Sequence, residues 1–230
     1  MKLVTGHELL DDDEGTPAEI AQSFNDLWWI NQHLGGLSTW RKLLARYLAV
    51  RPTTALTVLD IGSGSGQVAQ SNLEWLGSRG VAAAGFVLDR RTTHLGPTPP
   101  GAARQAIAAD AFRLPLADAS VDLVTCNLFL HHFHDTADHP AATTLLREMI
   151  RVARRGVVIN DLDRSWLPYL AIHALGWGLG FSRITRYDGP RSVRQAYTRR
   201  ELAALATRAG AANFECRWYM PFRLGLIIYV

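Results

Sequence analysis

Lysine is nearly absent from this 230-residue chain: Lys2 and Lys42 are the only two among 24 basic residues. A reductase that relies on a Tyr-x-x-x-Lys pair therefore has no lysine to use beyond Lys42. Cysteine is equally scarce. Cys126 and Cys216 share no close spacing, which argues against a disulfide framework or a zinc knuckle and fits a reducing cytoplasm. No apolar run is long enough to span a bilayer. The longest candidate, Trp166 to Phe181, falls short of about 20 residues and contains Pro168 and His173. The opening MKLVTGHELLDDDEG lacks the apolar centre of a signal peptide. No basic stripe interleaved with aromatics is present, so nucleic acid is not the expected partner. What remains is a chain with 48% hydrophobic and 20% charged residues and a net charge of +3. That composition suits one globular α/β domain with a full core.

Residues 1–15 read as a loose acidic lead-in. Thr16-Pro17-Ala18-Glu19 is a capping box with proline at the first helical position. The helix it opens runs to about Leu34 and places Ile20, Phe24, Leu27 and Trp28 on one face. A second helix, about Ser38 to Ala49, carries Trp40, Leu43, Leu44, Tyr47 and Leu48. Strands and helices then alternate. Strands are expected at Ala55–Asp60, Gly85–Asp89, Gln105–Ala109, Val121–Leu128 and Val157–Asn160. Helices are expected at Gln67–Arg79 and Pro140–Arg154, the latter closed by Gly156. Residues 91–103 read as a loop. The alternation predicts a doubly wound, Rossmann-like, mostly parallel sheet with helices on both faces. Residues 183–200, with Asp188-Gly189-Pro190, read as a loop at the mouth of a site. Thr198-x-x-Glu201 caps a last helix. Asn213–Tyr219 and Arg223–Tyr229 read as an antiparallel strand pair, which completes seven strands.

The chemistry is concentrated at strand ends. Val58-Leu59-Asp60-Ile61-Gly62-Ser63-Gly64-Ser65-Gly66 runs from a buried strand through an acid into glycines at alternate positions. Such a turn admits close backbone approach and presents free helix amides to an anionic group. Asp60 can pair with an amine, so the two features together suit an amino-acid moiety. A second acid, Asp89, ends the next strand 29 residues later and suits a ribose diol. A third, Asp110, is followed by Ala111 and Phe112; there a carboxylate can take an exocyclic amine while the ring packs on Phe112. For Phe112 a plain core role competes with that one. A nicotinamide-dependent reductase would use the first two acids but leave Asp110 without a task.

This series resembles the class I S-adenosylmethionine (SAM)-dependent methyltransferases. The segment Leu114-Pro115-Leu116-Ala117-Asp118-Ala119-Ser120-Val121-Asp122 is similar to the ubiquinone/menaquinone-biosynthesis type. The stretches LLDD…LWWINQHLGG and NDLDRSW…RYDGPRSVRQAYTRREL look like bacterial methyltransferases associated with type III polyketide pathways. The resemblance covers residues 55–162 well and the flanks poorly. It implies S-adenosyl-L-methionine as cofactor. Asp60, Gly62, Ser63, Gly64 and Gly66 would hold the methionine part, and Asp89 with Arg90 the ribose. Asp110, Ala111 and Phe112 would hold the adenine, with Asn127 near the transferring methyl. A helical cap at residues 1–50 and a methyltransferase domain at 51–230 are expected, and the apolar stretch within about 164–197 suits either a lid over an apolar substrate or an ordinary core helix.

His131 and His132 follow the fourth strand, beside the expected transfer point. Three roles stand open for this cluster: general base or substrate positioning, metal binding, and plain packing. The first is the working assignment, with no metal. Asp161, after the fifth strand, either touches substrate or caps the next helix. Trp29, Trp166 and His173 are further expected contacts for a small hydrophobic or aromatic acceptor such as a phenol, quinone or polyketide. A homodimer is the candidate assembly. A non-catalytic SAM-binding module is the rival from another class. A nucleic-acid methyltransferase is disfavoured, since Asn127-Leu128-Phe129-Leu130 lacks a Pro-Pro-aromatic step to stack a flipped base.

Overall fold

The computed structural model describes residues 1–95 and 104–230. From residue 96 to 103, the loop expected at 91–103 lies outside the described residues. Seven strands form one sheet: β1 (Ala55–Ile61), β2 (Ala82–Asp89), β3 (Arg104–Ala108), β4 (Val121–Asn127), β5 (Ala153–Leu162), β6 (Phe214–Tyr219) and β7 (Arg223–Tyr229). Their order is β3-β2-β1-β4-β5-β7-β6. β7 runs antiparallel to both β5 and β6, and every other pair is parallel. The order reverses between β1 and β4. Ligands of doubly wound sheets bind at that switch point, outside the carboxyl ends of the strands.

The helices are α1 (Pro17–His33), α2 (Gly36–Val50), α3 (Gln67–Ser78), α4 (Ala141–Val152), α5 (Trp166–Gly178), α6 (Arg183–Gln195) and α7 (Arg199–Arg208). Both expected capping boxes form, Thr16 with Glu19 and Thr198 with Glu201. One sheet face packs on α4 and α7 through Leu145, Leu146, Met149, Leu202 and Leu205. The other packs on α2 and α3 through Trp40, Leu43, Leu44, Tyr47, Leu73 and Leu76. Residues 1–50 therefore do not act as one cap. α2 belongs to the sheet's own core, while α1 and residues 8–11 border the cleft.

Two expected elements are corrected. The helix assigned as far as Arg154 ends at Val152, and Gly156 lies inside β5 rather than stopping a helix. β5 gains this length because it pairs on both sides, Ala153 with Val121 and Gly156 with Tyr229. The expected loop at 183–200 is largely α6, despite Gly189 and Pro190. Ser182 caps it by accepting from the Thr185 N–H, and Ile184 and Val193 are buried. The Asp188 carboxylate, which would close a local turn, is instead taken by the N–H groups of Leu9 and Leu10 at 2.8 and 3.1 Å. Among the described residues no helix is long and apolar enough to cross a membrane.

Candidate active site

A cavity of about 500 Å3 opens at the switch point, bordered by the ends of β1, β2 and β4, by α1, by the α5–α6 pair and by residues 8–11. The β1–α3 turn forms its floor. Gly62 sits at φ +65°, and a Cβ there would lie 2.3 Å from the Phe129 ring. A side chain at this point would be strained twice over. Gly66, also left-handed, gives room to the Arg104 guanidinium, which donates to the Ser65 carbonyl at 3.3 Å. Asp89 ties the turn to β2. Its carboxylate accepts from the Gly64 N–H at 3.1 Å and from the Arg91 N–H at 3.0 Å.

Asp60 is buried beneath this turn, 2% exposed. Burial pushes its carboxyl up to about 6, although the Thr125 hydroxyl donating at 2.6 Å and the field of Arg104 pull the other way. A carboxylate so short of solvation gains from an approaching cation. Asp110 stands at the cleft's outer lip, and its Oδ1 accepts from the Phe112 N–H at 2.9 Å. Phe112 packs edge-on against Phe133 at 5.0 Å and borders the cavity beside Ala111.

Across the cavity, His131 is 2% exposed and fixed at two points. Its backbone N–H donates to Asp161 Oδ2 at 3.1 Å, and its Nδ1 lies 2.7 Å from Asp161 Oδ1. With Nδ1–H donating to Asp161, Nε2 carries the ring's lone pair. Nε2 has no hydrogen-bond partner and stands 3.9 Å from Glu8 Oε1. His132 stacks on His131 at 4.3 Å and bonds Asp11 Oδ2 at 2.8 Å. Burial would depress the His132 pKa. Its bond to Asp11 and the nearby charges of Glu8, Asp11 and Asp161 raise it instead to about 9, which makes it an imidazolium. Burial likewise lifts Asp161, but His131 and His132 outweigh it and hold the carboxyl below its usual range.

Residues 59–159 match the family model described as a methyltransferase domain. The demethylmenaquinone methyltransferase of Thermobifida fusca is 28% identical over 78% of this chain and 74% of its own length. That of Mycolicibacterium vanbaalenii is 35% identical over 62% of this chain and 59% of its own length. Among solved structures, the plantazolicin methyltransferase BpumL superposes with a TM-score of 0.66 at 15% identity, covering 93% of this chain and 90% of that one. Residues 59–159 thus carry a methyltransferase domain, on a fold shared with solved SAM-dependent methyltransferases. Those solved structures include one described as SAM-dependent and one bound to S-adenosylhomocysteine.

Of the residues the sequence singled out, this methyltransferase lines one cavity with Asp60, Gly62, Ser63, Gly64, Asp89, Arg90, Asp110, Ala111, Phe112, Asn127, His131 and His132. Gly66 lies behind it, against Arg104. Four expected acceptor contacts are corrected. Trp29 faces away, stacked on His33 at 4.4 Å and edge-on to Phe181; its neighbour Trp28 borders the cavity instead. Trp166 is 62% exposed, and His173 is exposed and stacked on Tyr169. Both lie on the outer side of α5, whose inner side presents Pro168, Ala171 and Ile172. Asp161 neither borders the cavity nor starts a helix; it is spent on His131 and on the Leu162 N–H at 2.7 Å.

The methyltransferase also uses residues that sequence reasoning passed over. The lead-in at 1–15 is not loose. Glu8 is 5% exposed and accepts from Ser192 at 2.9 Å and Gln195 at 2.6 Å. Asp13 bonds Arg91 at 2.7 Å and His94 at 2.6 Å. Arg223, on β7, is 1% exposed and borders the cavity with one terminal nitrogen unpartnered. Burial lowers its pKa to about 10, with Asp161 partly offsetting that.

Proposed function

We propose that this methyltransferase acts on an oxygen or an activated carbon of a hydrophobic phenol, quinone or polyketide-like small molecule, with His131 as the general base. The carrying observation is His131 itself: a buried imidazole with Nδ1 clamped by Asp161 and a free Nε2 at the wall of a largely apolar cavity. The quinone-methylating relatives support an acceptor of this kind.

The residues at the switch point fit the cofactor. The amides of the Gly62–Gly64 turn suit a carboxylate, Asp60 an ammonium, Asp89 a diol, and Asp110 with Phe112 an amino-substituted aromatic ring. Bound S-adenosylmethionine supplies a methyl group already activated by its sulfonium. The protein's share is alignment, for which correct placement contributes about 7–11 kcal/mol, and removal of the acceptor's proton. That proton passes to His131 Nε2, and Asp161 stabilises the resulting imidazolium. The His132 cation and Arg223 border the same space and stabilise the anionic oxygen left behind.

Glu8, His131 and His132 each bring one potential ligand atom within 4.8 Å of the others. The two rings, however, stack with only 28° between their planes. Nearly parallel rings cannot both direct an in-plane lone pair at one cation about 2.1 Å away, so the cluster suits proton handling rather than metal binding. Replacing His131 with Gln should lower turnover by roughly a hundredfold to ten-thousandfold while S-adenosylhomocysteine affinity stays within twofold. Turnover would be followed as labelled methyl incorporated into an acceptor found by mass spectrometry of a cell extract. Undiminished turnover by His131→Gln removes the base from the proposal.

A further inference from the structure

α5 is apolar on both sides. Pro168, Ala171 and Ile172 turn toward the cavity. On the other side Trp166, Leu167, Leu170 and Trp177 are 62%, 62%, 58% and 67% exposed, continued by Leu179 at 49% and Tyr187 at 45%. Isolated exposed apolar residues are ordinary; six large ones on one helical hairpin are not. α5 carries no charged residue apart from His173.

The surroundings are cationic. Residues 164–200 contain seven arginines and one acid, Asp188, which is buried; Arg164 is buried against Glu201 and Arg183 pairs with Glu19, which leaves five arginines outside these ion pairs. That local excess is larger than the net charge of the entire chain, +3. Two of the arginines lie on the exposed aromatics themselves. The Arg186 guanidinium is 4.5 Å from the Trp177 ring, and that of Arg191 is 5.0 Å from the Tyr187 ring. Tryptophan and leucine on one side, with Arg186 and Arg191 at the rim, match the chemistry of a helix lying in the headgroup region of an anionic bilayer.

We infer that the α5–α6 hairpin docks this methyltransferase on an anionic lipid surface. The helix lies flat, its outer side in the headgroup and upper acyl region and its inner side forming the cavity wall. The binding claim stands without the proposed acceptor. Joined to it, the arrangement gives a lipid-soluble acceptor a short path from bilayer to His131.

The test is co-sedimentation of the full chain with phosphatidylcholine vesicles, with and without about 30% phosphatidylglycerol. The wild type should pellet with the anionic vesicles, at least about tenfold more than with neutral ones, and less as salt rises from 0.05 to 0.5 M. Leu170→Glu with Trp177→Glu should lower partitioning at least tenfold. Unchanged S-adenosylhomocysteine binding by calorimetry would show that the variant is folded; if that binding is lost, Leu170→Ser and Trp177→Ser take its place. Wild type left in the supernatant, equal binding to both vesicle types, or variants that bind like wild type each overturn the inference. So does a homodimer, seen by sedimentation equilibrium, that these substitutions dissociate, since a second copy would then cover the hairpin. Methyl transfer in detergent-free solution is read separately, so failure of the docking and failure of the acceptor assignment give different results.

Discussion

Asp60 shows how a residue can weaken the fold while serving the site. Held at about 6 by burial, it costs the folded protein roughly 3 kcal/mol to ionise at neutral pH relative to an ordinary carboxylate. Its folded pKa is above its unfolded one, so the folded state is favoured at acid pH and that advantage fades as pH rises through about 6. Asp60→Asn keeps an acceptor for the Thr125 hydroxyl and removes the charge. It should raise the melting temperature of the ligand-free protein at pH 7.5 by several degrees in differential scanning calorimetry. The same variant should bind S-adenosylhomocysteine at least tenfold more weakly by titration calorimetry. The strand-end acids were legible in the sequence because strand, acid and glycine occur in a fixed local order. Asp161 was misjudged because its partner, His131, is 30 residues away and meets it only across β4 and β5. Glu8 and Arg223 were missed for the same reason: nothing nearby in sequence marks a charge that burial alone makes consequential.

At the scale of elements, the N-terminal segment behaves as a strap. Residues 8–13 border the cavity and are fastened at His132, Arg91, His94 and Asp188. The His132–Asp11 fastening is pH-dependent. His132 is raised to about 9 in the folded chain from an ordinary 6.5, so its contribution is complete below about 6.5 and disappears as pH climbs through 9. The Asp13–Arg91 fastening has no such limit, since arginine stays charged. Hydrogen exchange, corrected for its intrinsic pH dependence, should therefore show residues 11–12 losing protection above pH 9, while Leu9 and Leu10, held by Asp188, and Asp13 keep it. Equal protection of both parts at pH 10 would mean the histidine does not hold the strap. Elements with strong local signals, such as both capping boxes, were legible from sequence. The lead-in and α6 were not. Each is held in shape by the other, Asp188 of α6 bonding the backbone of Leu9 and Leu10, and a pattern read along the chain cannot see such an exchange.

For the whole molecule, the core and the cleft are built from different parts of the chain. The residues that bury the sheet, from Trp40 through Leu205 to Ile228, do not include any of the first eight residues. The cavity does, through Glu8, and it continues through Leu10 and Asp11. Removing residues 1–14 should therefore leave a cooperatively folding protein, because both faces of the sheet stay covered by α2, α3, α4 and α7. It should nevertheless bind S-adenosylhomocysteine at least tenfold more weakly, since the strap closes over Arg91 and His94 immediately beyond Asp89. Ligand linkage gives the readout. At a ligand concentration of 100 times the wild-type dissociation constant, binding stabilises the intact chain by about 2.7 kcal/mol. For a chain of this length that is a rise in melting temperature of roughly 5–10 °C. In the shortened chain the same concentration is at most about ten times the weakened constant, so stabilisation falls to about 1.4 kcal/mol or less and the rise is halved. A shortened chain with the full rise would show that the cleft is complete without its strap; one that fails to melt cooperatively would show that the strap belongs to the fold as well as to the site.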